Sequence, residues 1–448
     1  MTMTDDTSKL FHRYLWAYIL VALSGCLGNV VDGIIVGNLI GADGVSAINL
    51  SKPIIQFIFT LHLLINAGGG MLVGYALGEN NQGQANALFT RALTFSAGVA
   101  LVVGLLGGWV FVHQTACMLC SNEQLLPMAL DYMRVVLLGA PAYVLMWGLS
   151  TMVGVDGSPR LVSMAVIIDN TVNLLLDIVF ISVFDWGITG SSAATVVGHL
   201  VGIGLLLTHW LGRNHRLQLL SPRNLHQASP ALQRILSQGA PLAVASVCLT
   251  LLLLSANTIV LSTVGRTGIF IFAVCMNLLQ VYNLFLSGTC QTLQSLGAIQ
   301  VGKGSREGLR TVLLKAFRFI TISMIVVCVA VWIWPQAIAR LFGAEDPEVI
   351  AQCSHALRIF ALSFVPFCYI YVLMIVYKLL RQHHMALFIS LALSLTVIPV
   401  LWIVARKAPS LLWYSYLIAY LIEAIAILLL HRLTHASLRF DPPNASPS

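Results

Sequence analysis

The sequence contains few charged residues. Asp, Glu, Lys and Arg make up only 9% of its 448 residues, whereas 58% are hydrophobic. A chain of this composition has too little polar surface to cover a soluble globule. The shortage of charge therefore excludes a soluble protein and indicates a membrane protein.

Polar stretches are also short, and apolar segments of spanning length follow one another from Tyr14 to Arg432. A helix that crosses a membrane needs about 20 mainly apolar residues. These segments lack the apolar–polar alternation of membrane barrel strands, so we predict an all-α polytopic membrane protein. The twelve predicted transmembrane helices are residues 14–40, 46–77, 87–114, 126–153, 160–184, 188–211, 231–264, 269–301, 308–340, 348–380, 384–405 and 410–431.

Lys and Arg are scarce in every second predicted loop. If the N-terminus is cytoplasmic, most basic residues, including Lys378, fall on the cytoplasmic side. The other side has only Arg266, Arg340, Arg406 and Lys407. Cytoplasmic loops of membrane proteins carry such an excess of Lys and Arg. The distribution predicts that both termini are cytoplasmic, and it accounts for the net charge of +7 without a nucleic-acid partner.

Cysteine is also infrequent, and its pattern predicts no metal cluster. The nine cysteines lie mostly inside predicted helices, where they act as small hydrophobic residues. Cys117 and Cys120 form a CxxC pair, but no second pair of metal ligands lies nearby. We therefore expect neither a metal site nor a disulfide at this pair.

The two halves of the sequence repeat each other in a constant register, which aligns Gly41 with Gly265 and Arg134 with Arg358. The repeat predicts two pseudo-symmetric, parallel six-helix lobes around a central cavity. Lobes of this kind move substrates by alternating access. The predicted divisions are an N-lobe (residues 1–212), a cytoplasmic linker (213–230) and a C-lobe (231–448).

Polar side chains recur along one face of the eighth predicted helix. Steps of three, four and seven residues separate them, so they share a helical stripe. Such a stripe provides interhelical hydrogen bonds or lines a water-filled cavity, and its length favours the cavity. The candidate cavity residues are Asn277, Gln280, Ser287, Gln291 and Gln294, with Gln56 in the second predicted helix.

Acidic residues inside the predicted helices are the strongest functional signal. Asp32 lies within the first helix, and Asp169, Asn173 and Asp177 follow one another at four-residue steps on the fifth. Helix rise places Asp32 and Asp177 about 12–14 Å below the outer ends of their helices, and Thr195 of the sixth helix about 12 Å. We therefore predict that Asp32, Asn173, Asp177 and Thr195 converge. Asp169 lies nearer the cytoplasm and is a candidate cavity residue.

The predicted cluster offers two carboxylates, an amide oxygen and a hydroxyl. Oxygen donors suit a small hard cation, and two close carboxyl groups can share a proton. Two carboxylates in a low-dielectric pocket do not readily both stay charged unless a cation neutralises them. The cluster therefore predicts a site for H⁺ or Na⁺, with no other cofactor.

Several segments resemble the multidrug and toxic compound extrusion (MATE) family. They are VVDGIIVGNLIGADGVSAI, GENNQGQA, GKGSREG and YMRVVLLGAP, together with the spaced Asn, Asp and Thr residues of the fifth and sixth helices. The resemblance covers nearly the whole chain. It implies that the family's N-lobe cation site falls on Asp32, Asn173, Asp177 and Thr195.

The resemblance also implies what the protein does and where. Members of the family are two-lobed antiporters that export amphiphilic, mostly cationic compounds against an inward flow of H⁺ or Na⁺. We accordingly expect a monomeric exporter in the bacterial cytoplasmic (inner) membrane, with the lipid bilayer and small amphiphilic cations as its partners.

The chain departs from the family pattern in the C-lobe. Some members carry acids in the seventh and tenth helices, but here the repeat places Ala256 opposite Asp32, and the interior of the tenth helix has no acid. Glu423, inside the twelfth helix, needs a partner or a proton and is a further candidate cavity residue. Ser191 stands where the family site can have Ala.

Two other functions are weighed against export. A flippase for a lipid-linked saccharide or another amphiphile would need interior basic residues, yet Lys52, Arg134 and Arg358 lie toward helix ends. An intramembrane enzyme would need a catalytic or metal constellation. His62 and His199 lie in separate helices without a ligand-spaced partner, and we interpret them as cavity or packing residues. We therefore expect no enzyme.

Overall fold

A computed structural model describes residues 3–120, 125–212, 215–220, 231–342 and 346–433. These residues are almost entirely helical, and no β-strand occurs among them. Eleven helices are long and apolar enough to cross a membrane, and there are twelve if one bent pair is taken as a single span. The prediction of an all-α, multi-pass membrane protein is confirmed.

The helices are numbered in chain order. The first nine are α1 (Met3–Leu39), α2 (Ala42–His62), α3 (Gly68–Gly78), α4 (Gln82–Leu105), α5 (Val112–Leu119), α6 (Leu126–Leu138), α7 (Ala140–Val155), α8 (Pro159–Ile178) and α9 (Gly187–Leu207). The others are α10 (Ala231–Thr292), α11 (Ala298–Gly302), α12 (Arg306–Ile333), α13 (Pro335–Leu341), α14 (Pro347–Leu379), α15 (His383–Leu395), α16 (Val397–Lys407) and α17 (Ser415–Leu433). Single π-helical turns lie at Leu63–Ala67, Leu106–Val110, Val179–Val183 and Leu293–Gly297.

One predicted span is not a continuous helix. The sequence predicts a helix over residues 126–153, but α6 and α7 meet at Gly139 with a bend of 48°. Pro141 is the second residue of α7 and has no backbone N–H to continue the hydrogen bonds of α6. A side chain at Gly139 would lie 2.4 Å from Val196 of α9. The bend therefore follows from a proline and from close packing.

Backbone turns follow the sequence repeat. Six of the eight described residues with positive φ angles form three pairs, and the members of each pair are related by the shift that takes Gly41 onto Gly265. The other pairs are Asn80 with Gly304 and Gly157 with Arg381. Left-handed residues of this kind end helices, so corresponding helices of the two halves end at corresponding positions. Gly265 separates the two membrane spans that make up α10.

The residues that cap two helix starts also occupy equivalent positions of the repeat. The Asn81 side chain accepts a hydrogen bond from the backbone N–H of Gln84 at 3.1 Å, which caps α4. At the equivalent positions of the second half, Ser305 accepts from the backbone N–H of Gly308, also at 3.1 Å, and caps α12. Such caps satisfy backbone groups that a helix leaves unpaired.

Contacts divide the chain into two compact units. The first contains His12–Ala243 and Ala298–Lys303. The second contains the residues up to Phe11, Val244–Gly297 and the residues from Gly304 onward. Two hydrophobic clusters form the core of the first unit, one around Met152 and one around Met133.

Part of the predicted linker is fastened to the first unit. The buried carboxylate of Asp156 accepts hydrogen bonds from His209 Nε2 at 2.8 Å and from the backbone N–H groups of Arg216 at 3.0 Å and Leu217 at 3.3 Å. Residues 215–220 are described, whereas 213–214 and 221–230 lie outside the described residues. The segment after α9 is therefore held by a specific buried acid.

Within the first unit, α3 and α11 cross at a contact with no room for side chains. A Cβ atom on Gly78 would lie 2.2 Å from the carbonyl oxygen of Ile299. A Cβ atom on Gly302 would lie 2.0 Å from the carbonyl oxygen of Tyr75. Glycine at both positions allows the two backbones to touch, as at other close crossings of membrane helices.

We expect Gly78→Ala to lower the free energy of unfolding by about 1–3 kcal/mol, because the new methyl group strikes backbone atoms that cannot rotate away. Thermal unfolding of the purified protein in detergent measures the change. Gly98→Ala in α4 is the matched control, since its Cβ would meet no atom within 4 Å, and it should unfold at or above the wild-type temperature. Equal unfolding temperatures for the two variants would contradict the packing argument.

Candidate functional site

Two hydrogen bonds fasten α1 to α8. Ser163 Oγ donates to the carbonyl oxygen of Ala17 at 2.8 Å, and Asn170 Nδ2 donates to Ser24 Oγ at 2.9 Å. The two donors are seven residues apart, or two helical turns, so they lie on one face of α8. Asp177 occupies the next position along that face.

Asp177 contacts the carboxyl group of Asp32. The Asp177 side chain is fully buried, and its carboxyl group interacts with the Asp32 carboxyl group and lies near the Ser191 side chain. Among the described residues, neither carboxyl oxygen of Asp177 has a hydrogen-bond partner, and Asp32 Oδ1 has none either. Two carboxyl groups in contact need a shared proton or a cation between them. A proton or a small cation would therefore be stabilised at this contact.

The second pair of the predicted cluster lies one turn away. Asn173 Nδ2 donates to Thr195 Oγ1 at 3.0 Å, and Thr195 Oγ1 donates to the carbonyl oxygen of Ser191 at 3.2 Å. The side chain of Tyr143, from α7, lies near Thr195. The four predicted residues thus form two pairs, Asp32 with Asp177 and Asn173 with Thr195. Ser191 lies near the first pair and accepts a hydrogen bond from the second.

Asp169 lies one further turn along α8 and belongs to a different pair. Its carboxylate accepts a hydrogen bond from His199 Nδ1, with distances of 2.9 Å to Oδ2 and 3.1 Å to Oδ1. Gly198 lets α8 and α9 approach here, because a Cβ atom on it would lie 2.8 Å from Asp169 Oδ1. His199 therefore has a carboxylate partner, which its place in the sequence did not indicate.

The candidate cavity residues of α10 differ in exposure. Asn277 and Gln280 are exposed on the protein surface, whereas Gln291 and Gln294 are half-buried. In the first unit, Gln56 of α2 is also half-buried. Exposure therefore decreases along the stripe from Asn277 to Gln294, within the second unit.

Lys378 requires another correction. Its place in the sequence assigns it to the cytoplasmic loop cations, but its side chain is fully buried at the end of α14. Its Nζ donates to Gln294 Oε1 at 3.5 Å. The predicted helix over residues 348–380 already includes Lys378, but the sequence does not show which helix faces it.

Glu423 lies in the second unit on α17. Its side chain is 1% exposed, and neither carboxyl oxygen has a hydrogen-bond partner among the described residues. Tyr420, one turn earlier, interacts with it electrostatically. Glu423 is therefore a buried acid of the second unit.

The donor set around Asp32 and Asp177 suits H⁺ or Na⁺. It consists of oxygen atoms, which hard cations prefer. Across the described ranges, no group of three or more His, Cys, Asp and Glu side chains is arranged to hold a metal ion. Buried carboxyl groups within membrane helices, facing other helices, are typical of ion-coupled transporters. Fold and site together define a multi-pass membrane transporter.

Comparison with known proteins gives the family. The MatE family profile matches the chain twice, over residues 17–179 and 241–403. The second match begins and ends at the positions onto which the sequence repeat carries the limits of the first. The chain belongs to the MatE family, whose members are transporters and not enzymes.

Individual relatives are distant but similar along their whole length. The chain is 22% identical to the multidrug export protein MepA of Staphylococcus aureus (strain bovine RF122 / ET3-1) over 445 residues, which is 97% of this chain and 96% of that protein. A crystal structure of MATE in complex with MaL6 is 18% identical and superposes with a TM-score of 0.87, covering 96% of this chain and 97% of the other. An outward-facing multidrug resistance MATE transporter of the MOP superfamily gives a TM-score of 0.85 at 18% identity, covering 96% of each chain.

We expect Thr195→Val to destabilise the first unit by about 1 kcal/mol, because valine keeps the side-chain shape and removes the oxygen that accepts from Asn173. Thr171→Val is the control, since its exposed hydroxyl bonds only to the carbonyl oxygen of Ile167 in its own helix, at 2.7 Å. Thermal unfolding in detergent compares the two variants. A larger loss in Thr171→Val would contradict the assigned role of the interhelical bond.

Proposed function

We propose that this protein is a secondary active exporter of amphiphilic, mostly cationic drugs or toxic compounds, driven by inward movement of H⁺ or Na⁺. Membership of the MatE family supports export, and relatives such as MepA carry the name of multidrug export proteins. The observation that carries the coupling proposal is the contact between the carboxyl groups of Asp32 and Asp177.

The proposed architecture is that of two six-helix lobes, residues 1–212 and 231–448, with residues 213–230 as the cytoplasmic linker. The repeated family match and the paired helix-ending turns support it. The loop distribution of Lys and Arg supports cytoplasmic termini. The proposed location is the inner membrane of a bacterium, where the protein acts as a monomer by alternating access.

The proposed coupling site consists of Asp32, Asn173, Asp177 and Thr195, with Ser191 beside the acids. Loss of the coupling cation leaves negative charge in the first unit, which favours binding of a cationic compound. Entry of H⁺ or Na⁺ from outside cancels that charge and favours release. A ligand shifts a conformational equilibrium only through unequal affinity for the two states, and the acids supply that inequality.

We expect Asp32→Asn to abolish cation-driven export while the protein stays folded, because an amide keeps the size of the side chain and loses its exchangeable charge. Uptake of ethidium into sealed inside-out vesicles, with a pH gradient or a Na⁺ gradient imposed separately, measures export. Asp177→Asn and the double variant should behave alike, since the two acids act as one unit.

Asp43→Asn is the matched control for this experiment. Asp43 is an exposed acid in the first turn of α2, so its variant should export at the wild-type rate. Wild-type export by Asp32→Asn, Asp177→Asn and the double variant would show that the coupling site lies elsewhere.

A further inference from the structure

The sequence repeat gives Glu423 of α17 the position that His199 has in α9. The same shift relates two aromatic residues of α7 to two aromatic residues of α14. These pairs are Tyr143 with Phe367 and Trp147 with Tyr371. Corresponding helices of the two halves therefore carry an ionisable side chain at one position and an aromatic pair at another.

In the first unit, the acid and the rings of this arrangement surround a nitrogen heterocycle of the chain itself. The His199 ring packs edge-on against Tyr143, with 4.4 Å between ring centroids, and its centroid lies 6.2 Å from that of Trp147. Its Nδ1 lies 2.9 Å from the carboxylate of Asp169. The first unit thus holds a flat nitrogen ring between one carboxylate and two aromatic rings.

The second unit has an acid and an aromatic pair but no such nitrogen ring. The shift that relates His199 to Glu423 relates Asp169 to Leu393, which is apolar. Glu423 is 1% exposed, and neither of its carboxyl oxygens has a hydrogen-bond partner in the described part of the chain. A buried carboxylate is costly unless a positive charge pairs with it. Glu423 therefore holds a proton or binds a cation.

Aromatic rings lie beside Glu423. Tyr420, one turn earlier on α17, interacts with Glu423 and has its ring centroid 5.3 Å from that of Phe367. The Phe367 and Tyr371 centroids are 6.0 Å apart, and both side chains are half-buried, so part of each ring is accessible. Tyr416, two turns before Glu423 on the same face, has a buried hydroxyl without a partner among the described residues.

The surroundings of Glu423 favour an organic cation over a metal ion. Na⁺ and other hard cations require several oxygen ligands, and the ring of Phe367 supplies none. The faces of aromatic rings attract organic cations, and a carboxylate supplies the opposite charge.

We propose that Glu423, with the rings of Phe367, Tyr371 and Tyr420, forms a binding subsite for a flat organic cation in the second unit. This inference rests on the proposed function. The ligand takes the role that the His199 ring has in the first unit, with its charge toward the carboxylate and its rings against the aromatic side chains. When the cation binds, the O–H bond of Glu423 breaks and the proton passes to water, so the buried charge stays balanced.

Other ionisable groups near α17 do not pair with Glu423. This helix packs against α14, α15, α16 and the turn Pro409–Tyr414. On these elements Cys368 interacts with Tyr420, Lys378 bonds to Gln294, and Arg406 stacks on Trp402. The remaining ionisable groups at the ends of these elements include His383, His384, Lys407 and Tyr414. None of them bonds to a carboxyl oxygen of Glu423.

Ethidium binding to the purified full-length protein in detergent, followed by ethidium fluorescence, tests the subsite. Glu423→Gln keeps the size of the side chain and removes its charge, so we expect the Kd for ethidium to rise about tenfold or more. Phe367→Leu tests the same subsite without changing the buried acid, and it should raise the Kd about threefold. Tyr371→Phe keeps the ring and should bind ethidium as the wild type does.

Glu307→Gln is the matched control, since Glu307 is an exposed acid in the first turn of α12 in the same unit, and its Kd should be that of the wild type. Phenanthridine, the uncharged ring system of ethidium, is the control ligand. It should bind Glu423→Gln and the wild type equally, because the substitution removes only a charge. An equal loss of affinity for both ligands would overturn the inference.

The outcomes separate this inference from the proposed function. A wild-type Kd for ethidium in both Glu423→Gln and Phe367→Leu would overturn the inference, while export by the wild type would still support the proposed function. Absence of ethidium export by the wild type under either a pH gradient or a Na⁺ gradient would overturn the proposed function and the inference with it.

Discussion

The contact between the carboxyl groups of Asp32, which is half-buried, and Asp177, which is fully buried, is the interaction on which the site depends. Asp177 lies where two faces of α8 intersect. One face holds α1 through Ser163 and Asn170, and the other meets α9 through Asn173 and Asp169. A single residue therefore brings together the helix that carries Asp32 and the helix that carries Thr195. Any change in the charge of the acid pair acts on α1, α8 and α9 together.

The sequence predicted the main parts of this arrangement for simple physical reasons. Acids inside apolar helices are rare, and helix rise is constant, so the depths of Asp32, Asp177 and Thr195 followed from counting residues. Helix number and the repeat followed from hydropathy and spacing. The same regularity appears in the backbone, where left-handed turns such as Gly41 and Gly265 occupy equivalent positions of the two halves.

The remaining features depend on which helix faces which, and one sequence does not contain that information. The hydrogen bond between Asp169 and His199 joins residues that are 30 positions apart in the chain. Nothing in the sequence around either residue shows that the two side chains face each other. The seven-residue spacing of Ser163, Asn170 and Asp177 was visible, but its meaning required the position of α1. The burial of Lys378 likewise follows from packing against other helices, and so does part of the bend at Gly139, where Pro141 also acts.

The central claim is that the Asp32–Asp177 pair gains and loses a cation as an organic cation binds. Difference infrared spectroscopy of the purified protein tests it most directly, because protonated carboxyl groups and carboxylates absorb at different frequencies. Addition of ethidium should convert a protonated or Na⁺-bound carboxyl signal into that of a free carboxylate, and the change should vanish in Asp177→Asn. Binding of ethidium to the wild type with no change in the carboxyl bands would contradict the account.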